Sequence, residues 1–406
     1  YRWLAHNEGA RFALIGATHE LRALAVRLAA ERRRSGPPLT RAQHALAQYH
    51  AADRDLDAVA LSITAAEYDA APAPGEWPLR YIYGHMVGAE RNFFALVHYG
   101  LRRQREEGNL PPTLPDGEAD RLHGPFAETF GPLMDTGTRE AMAAFHAALH
   151  ARALAEFAGI SDGEIDGPSI WWEGEPYTLE YRLHRFEAHL RQHTIQMERT
   201  LDQLGRPANE ARRLIRQLYA ALAEVEGTLI GAPELGAAER AAAAEAIAGY
   251  AAGLSEAVSR AAALVAAVRA GDASRVEALL AEDANAASAT TQDGVPVVRL
   301  AVYAGADELA ERLADAAAEL EMWDAAALGR LALVRELHEG WGDFILNERS
   351  RDGYTPLHLA ARFGRTDVAR YLIEKGADVT LADPEGRDAH GLARAGGYEQ
   401  IAGLFG

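Results

Sequence analysis

HRFEAHLRQHTIQMERTLDQLG, residues 184–205, places two histidines one helical turn apart in a stretch that nothing breaks before Gly205. The i,i+4 spacing stacks His189 and His193 on one face with Cβ atoms about 5–6 Å apart, near enough to share one cation. Leu183, Phe186, Leu190, Met197, Leu201 and Leu204 draw the apolar stripe of this helix; His193 falls where the next core residue belongs, and His189 lies at the stripe's edge. Upstream, EWPLRYIYGHMVGAE (76–90) opens a second such helix, with Trp77, Leu79, Ile82, Met86, Phe93 and Leu96 as its stripe and His85 beside Ile82 and Met86. All three imidazoles therefore point inward, where a polar ring needs a partner. A divalent cation would serve all three nitrogens at once and leave a fourth position for water or substrate, the pattern of catalytic zinc sites.

Spacing alone does not decide the matter. With 15 histidines in 406 residues, chance supplies about half of one i,i+4 pair. AFHAALHARALAEF (144–157) holds another, His146 and His150. The plain alternative for any such pair is a set of hydrogen-bonded core histidines. The order of segments carries more weight. A helix, then PAPGEWPLRYIYGHMVGAERNFF (72–94), a long loop, a further helix and finally 184–205 follow one another. Over residues 41–230 this order resembles the DinB-like superfamily of metal-binding four-helix bundles. The resemblance implies one ligand after a tryptophan on the second helix and two from an H-x-x-x-H helix, here His85, His189 and His193. It also implies a divalent metal, zinc first with nickel or iron left open because imidazole suits all three. The chemistry implied is of the hydrolase or low-molecular-weight-thiol transferase type. His146 and His150 stay outside this ligand set.

The neighbours of the motif narrow the chemistry. A zincin protease carries Glu directly after its first histidine as general base; Leu190 stands there, which argues against peptide hydrolysis by that route. Gln192 and Gln196 share the helix and read as supports for the ligands. Glu90, near the helix seam below His85, is the only acid nominated as a base. Trp171 and Trp172, in PSIWWEGEPYTLEYR, are candidates for the wall of a substrate pocket, with plain packing as the alternative. The Pro- and Gly-rich connection 102–140 is long enough to read as a lid over the metal site or as a surface excursion.

Composition bounds the rest. The chain has 49% hydrophobic and 25% charged residues, ordinary for a soluble globular protein. With no cysteine, it has neither disulfides nor thiolate ligands. The net charge of −18 argues against nucleic acid or an anionic membrane as partner. No run approaches about 18 uninterrupted apolar residues, and no signal-peptide core opens the chain, so a cytoplasmic location is expected.

After about Leu254 the chain changes character. DGYTPLHLAARFGRTDVARYLIEKGADVTLAD (352–383) carries, from Thr355 to Ala360, the T-P-L-H-x-A signature of the ankyrin repeat. The glycine between its two helices, Gly364, recurs as Gly271, Gly305, Gly329 and Gly397, predicting about five units, two of them irregular, with a trimmed turn near Leu320 to Trp323. His358 belongs to the signature and reads as structural. Asp352, Tyr354, Arg362 and Phe363 are assigned to the partner-binding surface of the best-formed unit.

The sequence thus predicts an all-α chain in three parts. Residues 1–40 form a helical extension, 41–253 a DinB-like four-helix bundle with extra helices, and 254–406 an ankyrin-repeat solenoid. The expected function is a divalent-metal-dependent enzyme acting on a small thiol or other small molecule, with repeats that bind another protein. A catalytically silent, metal-binding scaffold is the alternative.

Overall fold

The structure is a computed structural model that describes residues 11–106, 110–172 and 175–405. Residues 14–250 make one compact unit; 251–405, with 11–13, make the other. The division falls inside one long alanine-rich helix, three residues from the boundary expected at 253/254.

In the first unit, α1 (Arg11–Ser35) and α2 (Arg41–Ala60) precede α3 (Ala65–Asp69) and α4 (Leu79–Arg105). Then come α5 (Glu118–His123), α6 (Pro125–Thr136), α7 (Arg139–Phe157) and α8 (Asp162–Ile165). A hairpin of β1 (Pro168–Trp172) and β2 (Glu175–Thr178) leads into α9 (Leu179–Gln203), α10 (Glu210–Leu229) and α11 (Ala237–Ala270). The bundle is α2, α4, α7 and α9, and local sequence sets its helix ends. Thr40 and Gln43 form a capping box at the start of α2, Thr138 caps α7, and Thr178 caps α9. Past α9, Gly205 takes φ 78°, which an L side chain resists.

Most of the predicted stripes bury in a single core: Leu79, Ile82, Met86, Leu183, Phe186, Leu190 and Met197 are each at most 1% exposed, and Leu46, Leu56 and Phe94 join them there. Trp77 departs from its predicted place on the stripe. It precedes the helix, is 38% exposed, and rests edge-on against Tyr81 and His85. The connection 102–140 folds over α4 as α5 and α6. Gly84 and Gly88 make room for it: a Cβ at Gly84 would collide with Met134, and one at Gly88 would press on Phe130 at 3.3 Å. Outside the bundle, α1 packs through Leu21, Leu24 and Leu28 on Ala221 and Val225 of α10 and Ala243 of α11.

The second unit is a series of helix pairs. The end of α11 pairs with α12 (Ala273–Glu282), α13 (Val297–Tyr303) with α14 (Asp307–Ala316), and α15 (Met322–Leu328) with α16 (Leu331–Trp341). α17 (Pro356–Arg362) then pairs with α18 (Thr366–Glu374), and α19 (Ala389–Ala395) with α20 (Glu399–Ala402). Gly271, Gly305, Gly329, Gly364 and Gly397 stand one between the helices of each pair, all with φ between 65° and 83°. The tight turn between Ala316 and Met322 accounts for the short glycine spacing. His358 links backbone segments: its Nδ1 meets Thr355 Oγ1 at 2.8 Å, and its Nε2 meets the Leu381 carbonyl at 2.8 Å. In α15 the equivalent position is Asp324, also the third residue of a capping box. It pairs instead with Arg299 at 3.2 Å, and Asp352 takes the same guanidinium at 3.3 Å. Arg299 is 1% and Asp324 2% exposed.

Breaking such a pair from one side costs stability, although Asp352 at 3.3 Å and Glu321 at 3.6 Å still answer part of the charge on Arg299. Asp324→Ala is expected to destabilise the repeats by about 1–3 kcal/mol. Denaturant melts of the full chain check this; a shift within error of zero would mean that Arg299 finds water.

Candidate metal centre

His85 comes from the second turn of α4, and His189 and His193 from consecutive turns of α9. Packing α4 against α9 brings the three rings together, with centroids 5.1 Å apart for His85 and His189, 4.7 Å for His85 and His193, and 4.4 Å for His189 and His193. One nitrogen from each lies within 4.8 Å of the other two. His189 and His193 are buried and His85 is half-buried. Burial, followed by the nearby His193 and His85, pushes His189 down to about 3; burial and His193 lower His85 in the same direction. These imidazoles are neutral at physiological pH, so a cation need displace no proton from either.

The supports are local. His193 Nδ1 lies 2.7 Å from Gln196 Oε1, an acceptor that leaves Nε2 as the free lone pair. Gln192 is exposed and makes no hydrogen bond to the ligands. Phe93 packs edge-on to His189 at 5.5 Å, fixing its plane. His189 Nδ1 is buried and has no hydrogen-bond partner among the described residues. Three converging nitrogens and an orphaned ring atom fit a divalent cation with an all-nitrogen ligand set.

Beside His189 opens a cavity of about 470 Å³ walled by Phe93, Leu96, Leu114 and Ile170, with Asn92, Arg182 and Arg185 on its polar side. Leu114 belongs to the 102–140 connection, so that segment contributes a wall of the cavity. Arg182 is committed to the hairpin, reaching Ser169 Oγ at 3.3 Å and the Ile170 carbonyl at 3.1 Å. Arg185 lies over Phe93, 5.5 Å from the ring centroid, and its Nε has no hydrogen-bond partner among the described residues. The side chains of Trp171 and Trp172, expected in this wall, lie outside the described residues.

Two other groups of nominated residues sit elsewhere. Glu90 is fully buried away from the cavity, accepting from Tyr49 OH at 3.1 Å and paired with His146 Nε2 at 2.7 Å. Burial opposes charge on His146, yet Glu90 and Asp53 outweigh it and carry the imidazole up to about 9. Glu90 is thus occupied in a second buried cluster, with His50, Asp53 and His150 as neighbours. In the repeats, Tyr354 is 6% exposed, its hydroxyl 3.1 Å from Glu385 and 2.8 Å from Arg362, while Asp352 holds Arg299 and Tyr303. The sequence assigned Asp352 and Tyr354 to a partner surface. The structure uses them inside the stack: Asp352 reaches back to Arg299 and Tyr303 of α13, and Tyr354 reaches forward to Glu385. Arg362 and Phe363, both half-buried, stack on Tyr303 beside them.

Comparison with known proteins agrees with the geometry. The DinB superfamily model matches residues 48–197, which span all three histidines. The bundle is a DinB-superfamily domain. Residues 352–384 match the ankyrin repeat. Among curated proteins, short segments are similar to the NAD-capped RNA hydrolase NUDT12 of Homo sapiens, 38% identical over 61 residues, 15% of this chain and 13% of that one. The DNA-binding protein RFXANK of Homo sapiens is 39% identical over 78 residues, 19% and 30% of the two chains. An ankyrin repeat-containing protein of Schizosaccharomyces pombe is 33% identical over 66 residues, 16% and 30%. The chain thus spans less than a third of the length of these relatives.

The DinB domain's ligand set can be checked directly. His85→Ala, His189→Ala and His193→Ala should each lose the metal equivalent held between α4 and α9, and Gln196→Ala should weaken it about 10- to 100-fold. Elemental analysis and competition with a chromophoric chelator read both effects; affinity unchanged in Gln196→Ala would remove its supporting role.

Proposed function

We propose that the DinB domain is a metal-dependent enzyme of the hydrolase or low-molecular-weight-thiol transferase type. The observation that carries this reading is the cavity opening directly on His189. A three-imidazole centre with a walled space beside it is built to admit a small molecule, whereas a structural site closes its fourth position with protein. A divalent cation on the three histidines supplies Lewis acidity towards a substrate oxygen or sulfur. The remaining work falls to this chain's own residues. Phe93, Leu96, Leu114 and Ile170 exclude water from the apolar body of the substrate. Arg185, with Asn92 near it, faces the same space with an unpaired Nε and suits a carboxylate or other anionic group on the substrate.

One observation favours the second reading, a catalytically silent metal-binding scaffold. Among the described residues that wall the cavity there is no carboxylate to serve as general base. A thiol transferase needs none if its thiol arrives as the thiolate, which places thiol transfer ahead of hydrolysis. In either case the ankyrin repeats supply contact with another protein, the ordinary use of such stacks.

A screen of ester, amide and thiol-transfer substrates, run with metal-loaded and chelated protein, tests the proposal. A rate that follows metal content and vanishes in His193→Ala is expected. For anionic substrates Arg185→Gln should raise KM with kcat little changed, by about 1.5–3 kcal/mol or roughly 10- to 100-fold. No metal-dependent rate with any class would transfer the assignment to the scaffold.

A further inference from the structure

The DinB domain buries a second set of metal-type donors. His50 and Asp53 project from adjacent turns of α2, and His146 and His150 from adjacent turns of α7, into the space between those helices. His50, Asp53, His146 and His150 are each at most 5% exposed. One donor atom from each of His50, Asp53 and His150 lies within 4.8 Å of the other two. A cleft of about 200 Å³ reaches them from the surface, bordered by His50, Asp53, His146 and His150.

Three features distinguish this cluster from an ordinary hydrogen-bonded core. First, the Asp53 carboxylate makes no hydrogen bond among the described residues. His146 Nδ1 and His150 Nε2 stand 3.7 and 3.6 Å from its oxygens, too far for a hydrogen bond. Asp53 borders the cleft, so its oxygens are uncommitted and within reach of a cation entering from the surface. The gap of 3.6 Å is close to what separates two donors sharing one cation at bonds of about 2.0–2.2 Å. Second, the outer side of His50 is held as metal-binding imidazoles are held. Its Nε2 lies 2.8 Å from Glu226 Oε2, and Glu226 is gripped by Arg54 at 2.7 and 3.0 Å. A carboxylate on Nε2 draws the proton there and leaves the Nδ1 lone pair facing inward. That lone pair meets His150 Nε2 at 2.8 Å, a separation that would open by about half an ångström around a shared ion. Third, the charges do not balance. Asp53, Asp57, Glu90 and Glu226 gather here against two cations, Arg54, already taken by Glu226 and Asp57, and His146, already taken by Glu90.

We propose that His50, Asp53 and His150 form a second, buried site for a divalent cation of the zinc type, independent of the three-histidine centre. The aromatic layer of Tyr49, Phe186 and Phe93 lies between the two. Tyr49 packs 4.3 Å from His150 and 4.8 Å from Phe186, Phe186 5.6 Å from Phe93, and Phe93 5.5 Å from His189. Separated by three aromatic rings, the two centres cannot act as a bridged pair, which needs about 3.5–4 Å. The second ion ties α2 to α7, and through Glu226 it ties both to α10.

The test is a titration of the chelator-stripped full-length chain with Co²⁺ alone, read by equilibrium dialysis and visible absorption. About two equivalents are expected for the wild type, matching the two donor groups. About one should remain when His85, His189 and His193 are all changed to alanine, and about one in Asp53→Asn. The triple variant leaves the second cluster untouched, so it decides the question even if Asp53→Asn fails to fold. No Co²⁺ bound by the triple variant would overturn the proposal while leaving the three-histidine centre standing. A single equivalent that survives in the triple variant and is lost in Asp53→Asn would do the opposite.

Discussion

An imidazole removed from water must find a partner for its ring nitrogens, and in an apolar helix bundle there are few to find. That constraint organises the DinB domain. Between α4 and α9 three rings converge on one point, and their burial keeps His85 and His189 neutral. Between α2 and α7 the rings are answered by carboxylates: Glu90 charges His146, Glu226 orients His50, and Asp53 waits between two imidazoles. The same residue type thus yields two different environments, and what separates them is the number of acids within reach.

The centre nearer the cavity is poor in charge and rich in aromatic walls. Among the described residues its unclaimed charged group is Arg185, so the space presents an apolar surface, a guanidinium and three nitrogens. The inner cluster is rich in charge and lies behind Tyr49, Phe186 and Phe93. Under the two proposals, chemistry falls to the first environment and the tying of helices to the second, because a divalent ion among carboxylates would have its charge answered within the protein. In the repeats the same economy recurs on a smaller scale. Where the signature histidine joins two backbone segments in α17, α15 substitutes Asp324 and answers it with Arg299. A neutral hydrogen-bonded link has become a buried ion pair at the equivalent position, and each helix pair still depends on its neighbour.

Much of this was legible in the residues. Apolar periodicity identified α4 and α9 and put three histidines on their inner faces. The T-P-L-H signature and five recurring glycines marked the repeats, because a positive φ between paired helices admits little else. The shortened spacing before Gly329 pointed to Leu320 to Trp323; the short connection is 317–321, and Met322 and Trp323 already belong to α15. Short-range signals of this kind are carried by neighbouring residues and need no knowledge of the rest of the chain.

What only the tertiary structure decided depends on which helix faces which. His50 and Asp53 are three residues apart on α2, and His146 and His150 four apart on α7, yet nothing in either segment says that the two would meet. Glu90 looked like a base beside His85, but helix rotation turns it towards Tyr49 and His146 instead. Tyr354 and Asp352 looked like tips of an exposed turn, and packing turned them into internal partners of Arg362 and Arg299. The sequence by itself determined the helices, the repeats and the three-histidine motif, since each rests on local periodicity. The packing of α2 on α7 and of one repeat on the next decided which polar side chains are buried together, because that depends on contacts between segments far apart in the chain.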